Sequence, residues 1–204
     1  GNYNMKKMLI VDGNSILNRA FFGMPPLVSS TGIHTGAVYG MITILLPKIE
    51  ELSPGYAAVA FDMRAPTFRH KMYEGYKAAR HGMPDELAAQ LPYAKKAMQS
   101  LGFNVLELEG YEADDLLGTM ANIGEKSGAM VYILTGDRDS LQLIDDNVNV
   151  LLAGTGETKL FDKTAFTEKY GIDPSSFVDV KALMGDSSDN IPGVAGIGEK
   201  TALK

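Results

Sequence analysis

Nine carboxylates fall in short clusters at or beside the ends of apolar runs: Asp12 in LIVDGN, Asp62 in VAFD, Glu112, Asp114 and Asp115 in GYEADD, Asp137 and Asp139 in TGDRD, Asp186 and Asp189 in GDSSDN. Structural carboxylates are ordinarily scattered over a solvated surface. Gathered at one edge, they repel one another and raise each other's pKa unless a cation sits among them. No run of Lys or Arg is interleaved closely enough to serve, so the expected neutraliser is a hard divalent cation with oxygen ligands. Two such ions close together would make a phosphoryl-transfer site.

The clusters differ in weight. Asp12 and Asp62 alone are compatible with simple turns after strands. GYEADD says more: acidic residues at a helix start also serve capping and the helix dipole, but three in four positions exceed that need. TGDRD repeats the pattern at another strand end. A phosphatase of the haloacid-dehalogenase type would want Asp-x-Asp after the first strand. This chain has Asp12-Gly13-Asn14 there and lacks that nucleophile–acid pair.

Two further segments carry the opposite chemistry. Residues 64–80, RAPTFRHKMYEGYKAAR, hold five Lys/Arg and one acidic residue, interleaved with Phe68, Tyr73 and Tyr76. As a helix, this segment would put Arg69, Tyr73, Tyr76, Lys77 and Arg80 on one face, a surface of phosphate-binding cations and base-stacking rings. Near the C-terminus, Gly193, Gly196, Gly198 and Lys200 lie in NIPGVAGIGEKTALK. Such a glycine hairpin opening a helix offers backbone N–H groups to a phosphate, a contact blind to base sequence.

These residues need elements to hold them. Strands are expected at 8–11, 57–61, 105–108, 131–134 and 148–152, with 159–161 pairing near the last. Helices are expected at 36–52, 84–101 (Leu87, Leu91, Ala94 and Met98 on one face) and 114–126, with Gly128 as a stop. Residues 12–14 read as a turn. Strands alternating with helices imply a mostly parallel sheet covered on both faces, with ligands beyond the carboxyl ends of its strands.

Composition narrows the classes. At 204 residues the chain suits one domain, or one domain plus the beginning of another element. Apolar residues at 45% and charged residues at 22% describe a soluble globular protein. The absence of cysteine excludes disulfides, thiolate zinc sites and Cys nucleophiles, and it fits a reducing cytoplasm. Three histidines without an HExxH pairing disfavour a histidine-built metal site. No apolar run suits a membrane span or signal peptide. The net charge of −6 disfavours a generally basic nucleic-acid binder, but nine of the 25 acidic residues belong to the carboxylate clusters, so local charge is the better guide. The four residues ahead of Met5 are expected to be a remnant foreign to the fold.

In order from about Met8 to Lys204, LIVDGN, FDMRAPTFRHKMYEGYKAAR, GYEADD, TGDRD and GDSSDNIPGVAGIGEKTA resemble the 5′-nuclease (flap endonuclease) family. The likeness is greatest to the branch that precedes the polymerase in bacterial enzymes. The resemblance implies an α/β PIN-like fold, with a mostly parallel central sheet flanked by helices. It implies a core over 5–184, including an arch region at 64–90, and the start of a helix-hairpin-helix element at 185–204. The implied activity is a 5′→3′ exonuclease or flap endonuclease that hydrolyses DNA or RNA-primer phosphodiester bonds with two Mg²⁺ or Mn²⁺ ions. The implied first metal site is Asp12, Asp62, Glu112 and Asp114, with Asp115 close by; the second is Asp137, Asp139, Asp186 and Asp189. Arg69, Tyr73, Lys77 and Arg80 match the base of the arch, where Lys77 and Arg80 would contact the scissile phosphate. The hairpin matches a duplex-binding element that often holds K⁺. Implied partners are DNA with a 5′ flap or 5′ end, an RNA primer–DNA hybrid, and a covalently linked polymerase domain, in a bacterial cytoplasm. The chain ends just inside the helix after the hairpin, so it is expected to be a fragment with weakened duplex grip.

Two rival readings use the same residues. A structure-specific DNA-binding fragment without activity would need the basic strip and hairpin but not the nine carboxylates. A PIN-type ribonuclease would need the carboxylates but not a duplex-binding hairpin.

Overall fold

The first strand shows how the sheet is built. In β1 (Lys7–Asp12), Met8 and Ile10 point to one face and Leu9 and Val11 to the other, and all four are buried. A strand buried on both faces reads as a continuous apolar run, as parallel strands covered by helices do. The computed structural model describes residues 5–204, so the expectation for residues 1–4 lies outside them.

The chain continues through α1 (Gly13–Gly23), α2 (Gly36–Leu52), β2 (Tyr56–Ala60), α3 (Phe68–Met72), α4 (Asp85–Ala88), α5 (Leu91–Ser100), β3 (Asn104–Leu106), α6 (Ala113–Lys126) and β4 (Met130–Thr135). A 3₁₀ turn (Arg138–Leu143) leads to β5 (Val148–Ala153), β6 (Thr158–Phe161), α7 (Lys163–Tyr170), α8 (Phe177–Met184) and α9 (Glu199–Ala202). The strands form one sheet in the order β3-β2-β1-β4-β5-β6, parallel except for β6. The order reverses direction between β1 and β4, and in open α/β sheets that switch point is where ligands bind. Register sets Asp12 beside Ala60 of β2 and Val11 beside Leu134 of β4. The carboxylates that follow β1, β2 and β4 therefore meet at one edge.

Each face has its own core. On one, Leu117 and Ala121 of α6 with Phe166, Phe177 and Val180 pack against Ile10, Ile133 and Val150. On the other, Ile16 and Leu17 of α1, Met41 and Leu45 of α2, and Ala94 and Met98 of α5 pack against Leu9, Val11 and Leu134. Truncating any one of these fully buried Leu, Ile or Met side chains to Ala costs about 2–5 kcal/mol.

The mostly parallel sheet agrees with the sequence, and the helix at 36–52 has the expected bounds. Four local expectations are corrected. Residues 12–14 are not a turn: Asp12 caps α1 by accepting the Ser15 N–H at 3.0 Å, so strand passes directly into helix. The helix expected over 84–101 is two helices, because Pro92 has no N–H to give Ala88 and the second helix begins afresh at Leu91. The basic segment is helical only over α3; after it Lys77 adopts φ 56°, and its N–H donates to the Asp189 carbonyl at 2.9 Å. The strand expected at 105–108 is only Asn104–Leu106.

Two close approaches shape the edge. Gly185, at φ 72°, lies against Gly193, where a Cβ on Gly185 would fall 2.3 Å from the Gly193 nitrogen. That contact lets the chain double back after α8 and present Asp186 and Asp189. At Gly13 a Cβ would meet the Phe61 ring at 2.5 Å and the Ala60 carbonyl oxygen at 2.8 Å. Ala normally stabilises a helix relative to Gly by about 1 kcal/mol. Here the carbonyl belongs to a central strand and cannot yield, so Gly13→Ala is expected to destabilise the fold by about 2 kcal/mol. A urea midpoint equal to or above wild type would refute this.

Candidate active site

Three strand ends supply Asp12, Asp62 and Asp137, and Asp12 is the most deeply buried of the nine carboxylates. Asp12, only 4% exposed, accepts the Ser15 N–H and the Thr135 hydroxyl, the latter at 2.9 Å. Burial, then the neighbouring Asp62 and Asp137, push its pKa up to about 6 against the hydrogen bonds that oppose the rise. Asp62 follows β2 and accepts the Ala113 N–H at 2.6 Å, tying that strand end to the start of α6. Its own N–H donates to the Asn14 side chain at 2.7 Å. Asp137 accepts the Asp139 N–H at 2.9 Å and opens the 3₁₀ turn after β4. Asp114, in the first turn of α6, is exposed to the cleft, yet the protein crowded around that cleft still screens its carboxyl from part of the bulk water. That desolvation, and then the fields of Asp12, Asp137, Asp62 and Glu112, push its pKa up to about 7.

Cations serve the rest, which corrects the expectation that none is interleaved closely enough. Glu112, 7% exposed, accepts from Lys77 Nζ at 2.6 Å and from the Tyr76 hydroxyl at 2.9 Å. Lys181 of α8 bridges Asp139 at 2.9 Å and Asp186 at 3.1 Å. Burial raises the Asp139 pKa against that ammonium. Asp186, despite a burial effect that pushes upward, is held at about 2 by Ser188 and Lys181. Arg80 pairs with Asp189. Except for Lys181 and Asp186, five residues apart, these cations lie far in sequence from the carboxylates they meet, so adjacency along the chain could not reveal them.

Eight of the nine predicted carboxylates line one cleft of about 1720 Å³, together with Lys77, Arg80 and Lys181. Asp115 stands apart. It faces a smaller cleft of about 500 Å³ beside Asp114 and Asp139, and it accepts a bidentate pair from Arg69 at 2.7 and 2.8 Å. That guanidinium holds its carboxyl below the usual carboxylate range. Asp115 also accepts the Glu112 N–H in a reciprocal capping box at the start of α6, so capping uses two of the three acids in GYEADD. Tyr76 does not offer a free stacking face: it is 7% exposed, with its hydroxyl donated to Glu112. Tyr73 is exposed and donates to the Asn190 carbonyl at 3.1 Å. Gly193, Gly196, Gly198 and Lys200 are exposed on the hairpin, which Glu199 ties to Arg138 at 2.7 Å.

The sequence reading did not single out Asn14, Arg19 or Lys181. Arg19 lines the main cleft from α1, and its Nε has no partner among the described residues. The missing signal was the helix itself: once 13–23 is helical, Arg19 lies seven residues, two turns, from Asp12 on the same face.

The donor set suits a hard divalent cation, being all carboxylate, with Asp12 and Asp114 hard to ionise together unless positive charge arrives. As the side chains stand, no three His, Cys, Asp or Glu among the described residues are arranged to hold a metal ion. Glu112, Asp139, Asp186 and Asp189 each commit an oxygen to an ammonium or guanidinium instead.

A pH dependence follows. Asp12 and Asp114 titrate above the ordinary Asp value, so between about pH 4 and 7 the folded protein holds protons that the unfolded chain has lost, and stability falls as pH rises. The lowered Asp186 acts only below that window. In chelator, the melting temperature is expected to fall between about pH 5 and 7.5, and Asp114→Asn is expected to melt higher than wild type at the upper pH. A flat profile, or a lower-melting Asp114→Asn at that pH, would contradict the electrostatic account.

Comparison with known proteins agrees with this architecture. Residues 7–171 match the family model of the 5′-3′ exonuclease N-terminal resolvase-like domain, and residues 172–204 match that of the 5′-3′ exonuclease C-terminal SAM fold. DNA polymerase I of Thermus thermophilus is 48% identical over 200 residues, covering 97% of this chain and 23% of that protein. The Bacillus subtilis enzyme is 45% identical over 201 residues, covering 98% of this chain and 23% of its own length. The chain thus spans about a quarter of the curated relatives it matches. The solved T5 D15 protein co-crystallized with metal ions shares the fold at a TM-score of 0.76 and 23% identity, over 97% of this chain and 73% of that one. Human GEN1 in complex with Holliday junction DNA does so at 0.56 and 17%, over 97% and 48%. No helix among the described residues is long and apolar enough to cross a membrane. The residues at the sheet edge, the PIN-like topology that gathers them and the matched family models converge: this chain belongs to the 5′-3′ exonuclease family.

Proposed function

We propose that the chain is a structure-specific 5′ nuclease that hydrolyses phosphodiester bonds at a 5′ end or at the base of a 5′ flap, in DNA or in an RNA primer, during replication and repair. The observation that carries this is the single cleft into which five chain segments bring eight carboxylates, with Arg19, Lys77 and Arg80 on its walls. A small-molecule site has no need of so extended a charged cleft, and a pure binder has no use for the carboxylates.

Two divalent ions, Mg²⁺ or Mn²⁺, would be held by Asp12, Asp62, Glu112 and Asp114 on one side and by Asp137, Asp139, Asp186 and Asp189 on the other. Bound there, they would supply Lewis acidity toward phosphate oxygens and a lowered water pKa. Asp115 acts at one remove: through its pair with Arg69 and its capping contact it fixes the start of α6, from which Glu112 and Asp114 project. No protein nucleophile is needed, in keeping with the absence of Cys.

The cations have a second task. Lys77 and Arg80 now neutralise Glu112 and Asp189. With a phosphate in the cleft, they offset charge that develops on its oxygens. Arg19 takes a neighbouring phosphate from α1 with its terminal nitrogens, one of which donates to the Gly136 carbonyl at 3.5 Å. Arg69 and Tyr73 border the path of the unpaired 5′ strand. Residues 5–184 form the nuclease core, and 185–204 form the hairpin whose Gly193, Gly196, Gly198 and Lys200 meet duplex backbone, with K⁺ as a ligand of that turn. The relatives, which are DNA polymerase I, support a covalently linked polymerase domain and a bacterial cytoplasmic setting as part of this reading.

Cleavage of a 5′-flap duplex is expected with Mg²⁺ or Mn²⁺ and not with chelator. Asp114→Asn or Asp139→Asn is expected to abolish it while leaving flap binding intact. Tight binding without any metal-dependent product would favour a non-catalytic binder, and preferential cleavage of unpaired RNA a ribonuclease. Lys77→Ala is expected to lower kcat roughly 100-fold, the usual loss for one preorganised charge-stabilising group. Single-turnover rates within threefold of wild type would remove Lys77 from the chemistry.

A further inference from the structure

The two halves of the carboxylate cluster are not equivalent. In one half only Glu112 is paired, with Lys77 and Arg69; Asp12, Asp62 and Asp114 form no ion pair among the described residues, and Asp12 and Asp62 accept from main-chain N–H groups and the Thr135 hydroxyl. In the other half three of the four carboxylates are paired, Asp189 with Arg80 and both Asp139 and Asp186 with one ammonium. Lys181 reaches down from α8, its side chain only 25% exposed, with Nζ 2.9 Å from Asp139 Oδ1 and 3.1 Å from Asp186 Oδ2. The second oxygen of Asp186 accepts the Ser188 N–H at 2.8 Å and hydroxyl at 2.7 Å, so Lys181 holds the oxygen left for any other ligand.

We propose that Lys181 is a built-in cation competing with the divalent ion on the Asp139–Asp186 side. It neutralises that side when no ion is bound, and it must leave before those oxygens can ligate one. Each ion bound there replaces an existing favourable contact, and a nearby ammonium repels the incoming charge. On the Asp12–Asp62–Asp114 side only Glu112 would have to give up a cation, so the cost there is smaller. Lys181 thus sets a graded metal response, in which one site fills at low free metal and the other only at higher concentration. The inference rests on the metal-dependent reading above and names the residue that makes its two sites unequal.

The test is Mn²⁺ binding to the full chain, by calorimetry and by electron paramagnetic resonance of free Mn²⁺, for wild type, Lys181→Met and Lys181→Arg. Met keeps the length of the stem without the charge; Arg keeps the charge. Wild type is expected to show a tight and a weak class. Lys181→Met is expected to tighten the weak class at least tenfold and leave the tight class within twofold, while Lys181→Arg stays weak. Without metal, Lys181→Met is expected to melt below wild type, and saturating Mn²⁺ should close the gap. An unchanged or weakened second class in folded Lys181→Met overturns the proposal alone; no Mn²⁺ bound by any of the three proteins overturns the metal reading with it. A measurement on unaltered protein guards against a variant that fails to fold. In a Mg²⁺ titration, the Lys181 side-chain ¹⁵N resonance should move with filling of the weak class, and movement with the tight class instead would also defeat the idea.

Discussion

Mutual repulsion among carboxylates at the sheet edge is the constraint to which the rest of the site answers. Eight acidic side chains border one cleft, and nothing in the parallel sheet beneath them supplies a compensating charge. Three devices hold them in place. Helix and turn starts lend N–H groups, from Ser15 to Asp12, Ala113 to Asp62, and Asp139 to Asp137. Cations arrive from distant segments: Lys77, Arg80 and Lys181. Where neither suffices, the carboxyl resists ionisation, as Asp12 and Asp114 do. A fold selected for stability alone would not assemble such a group, and sites of this kind are where local rules give way to function.

The core makes the crowding possible. Register between β1 and its two neighbours fixes Asp12 between the ends of β2 and β4, and apolar side chains on both sheet faces make slippage costly. The absence of a side chain at Gly13 lets α1 begin directly against Phe61 and the Ala60 carbonyl. A looser junction would move Asp12 and Asn14 together, and with them Asp62, whose N–H Asn14 accepts. The precision of the edge thus comes from elements with no chemistry of their own.

Much of this was legible in the sequence, for identifiable reasons. Continuous apolar runs gave the strands, and the 36–52 helix showed its period over nearly five turns. Strand-end position gave the carboxylates their convergence. The misses cluster where tertiary contacts override local pattern. The basic strip looked helical by spacing, but docking against Asp189 and Asn190 pulls it into turns and gives Lys77 a left-handed backbone. α1 was hidden because Asp-Gly-Asn reads as a turn when the capping contact cannot be seen. The counter-ions were invisible because Lys77 lies 35 residues from Glu112, and Lys181 meets Asp139 only through the packing of α8. Asp115 looked like its neighbours in sequence, but one residue after Asp114 the helix rotates its side chain by about 100°, toward Arg69 instead of the main cleft.

The basic segment hangs on the loop after α8. Tyr73 and Lys77 donate to the carbonyls of Asn190 and Asp189, the Asn190 amide donates to the Gly75 carbonyl, and Arg80 pairs with Asp189. Two family models meet at residues 171 and 172, a boundary that suggests exchangeable modules. These bonds cross that boundary, and most run through main-chain atoms whose position depends on the conformation of both loops. A hybrid of two relatives joined at this seam would inherit a segment shaped for one loop and a loop shaped for another segment. Its halves could fold and still hold Lys77 and Arg80 out of line, so the two pieces are heritable only as a pair.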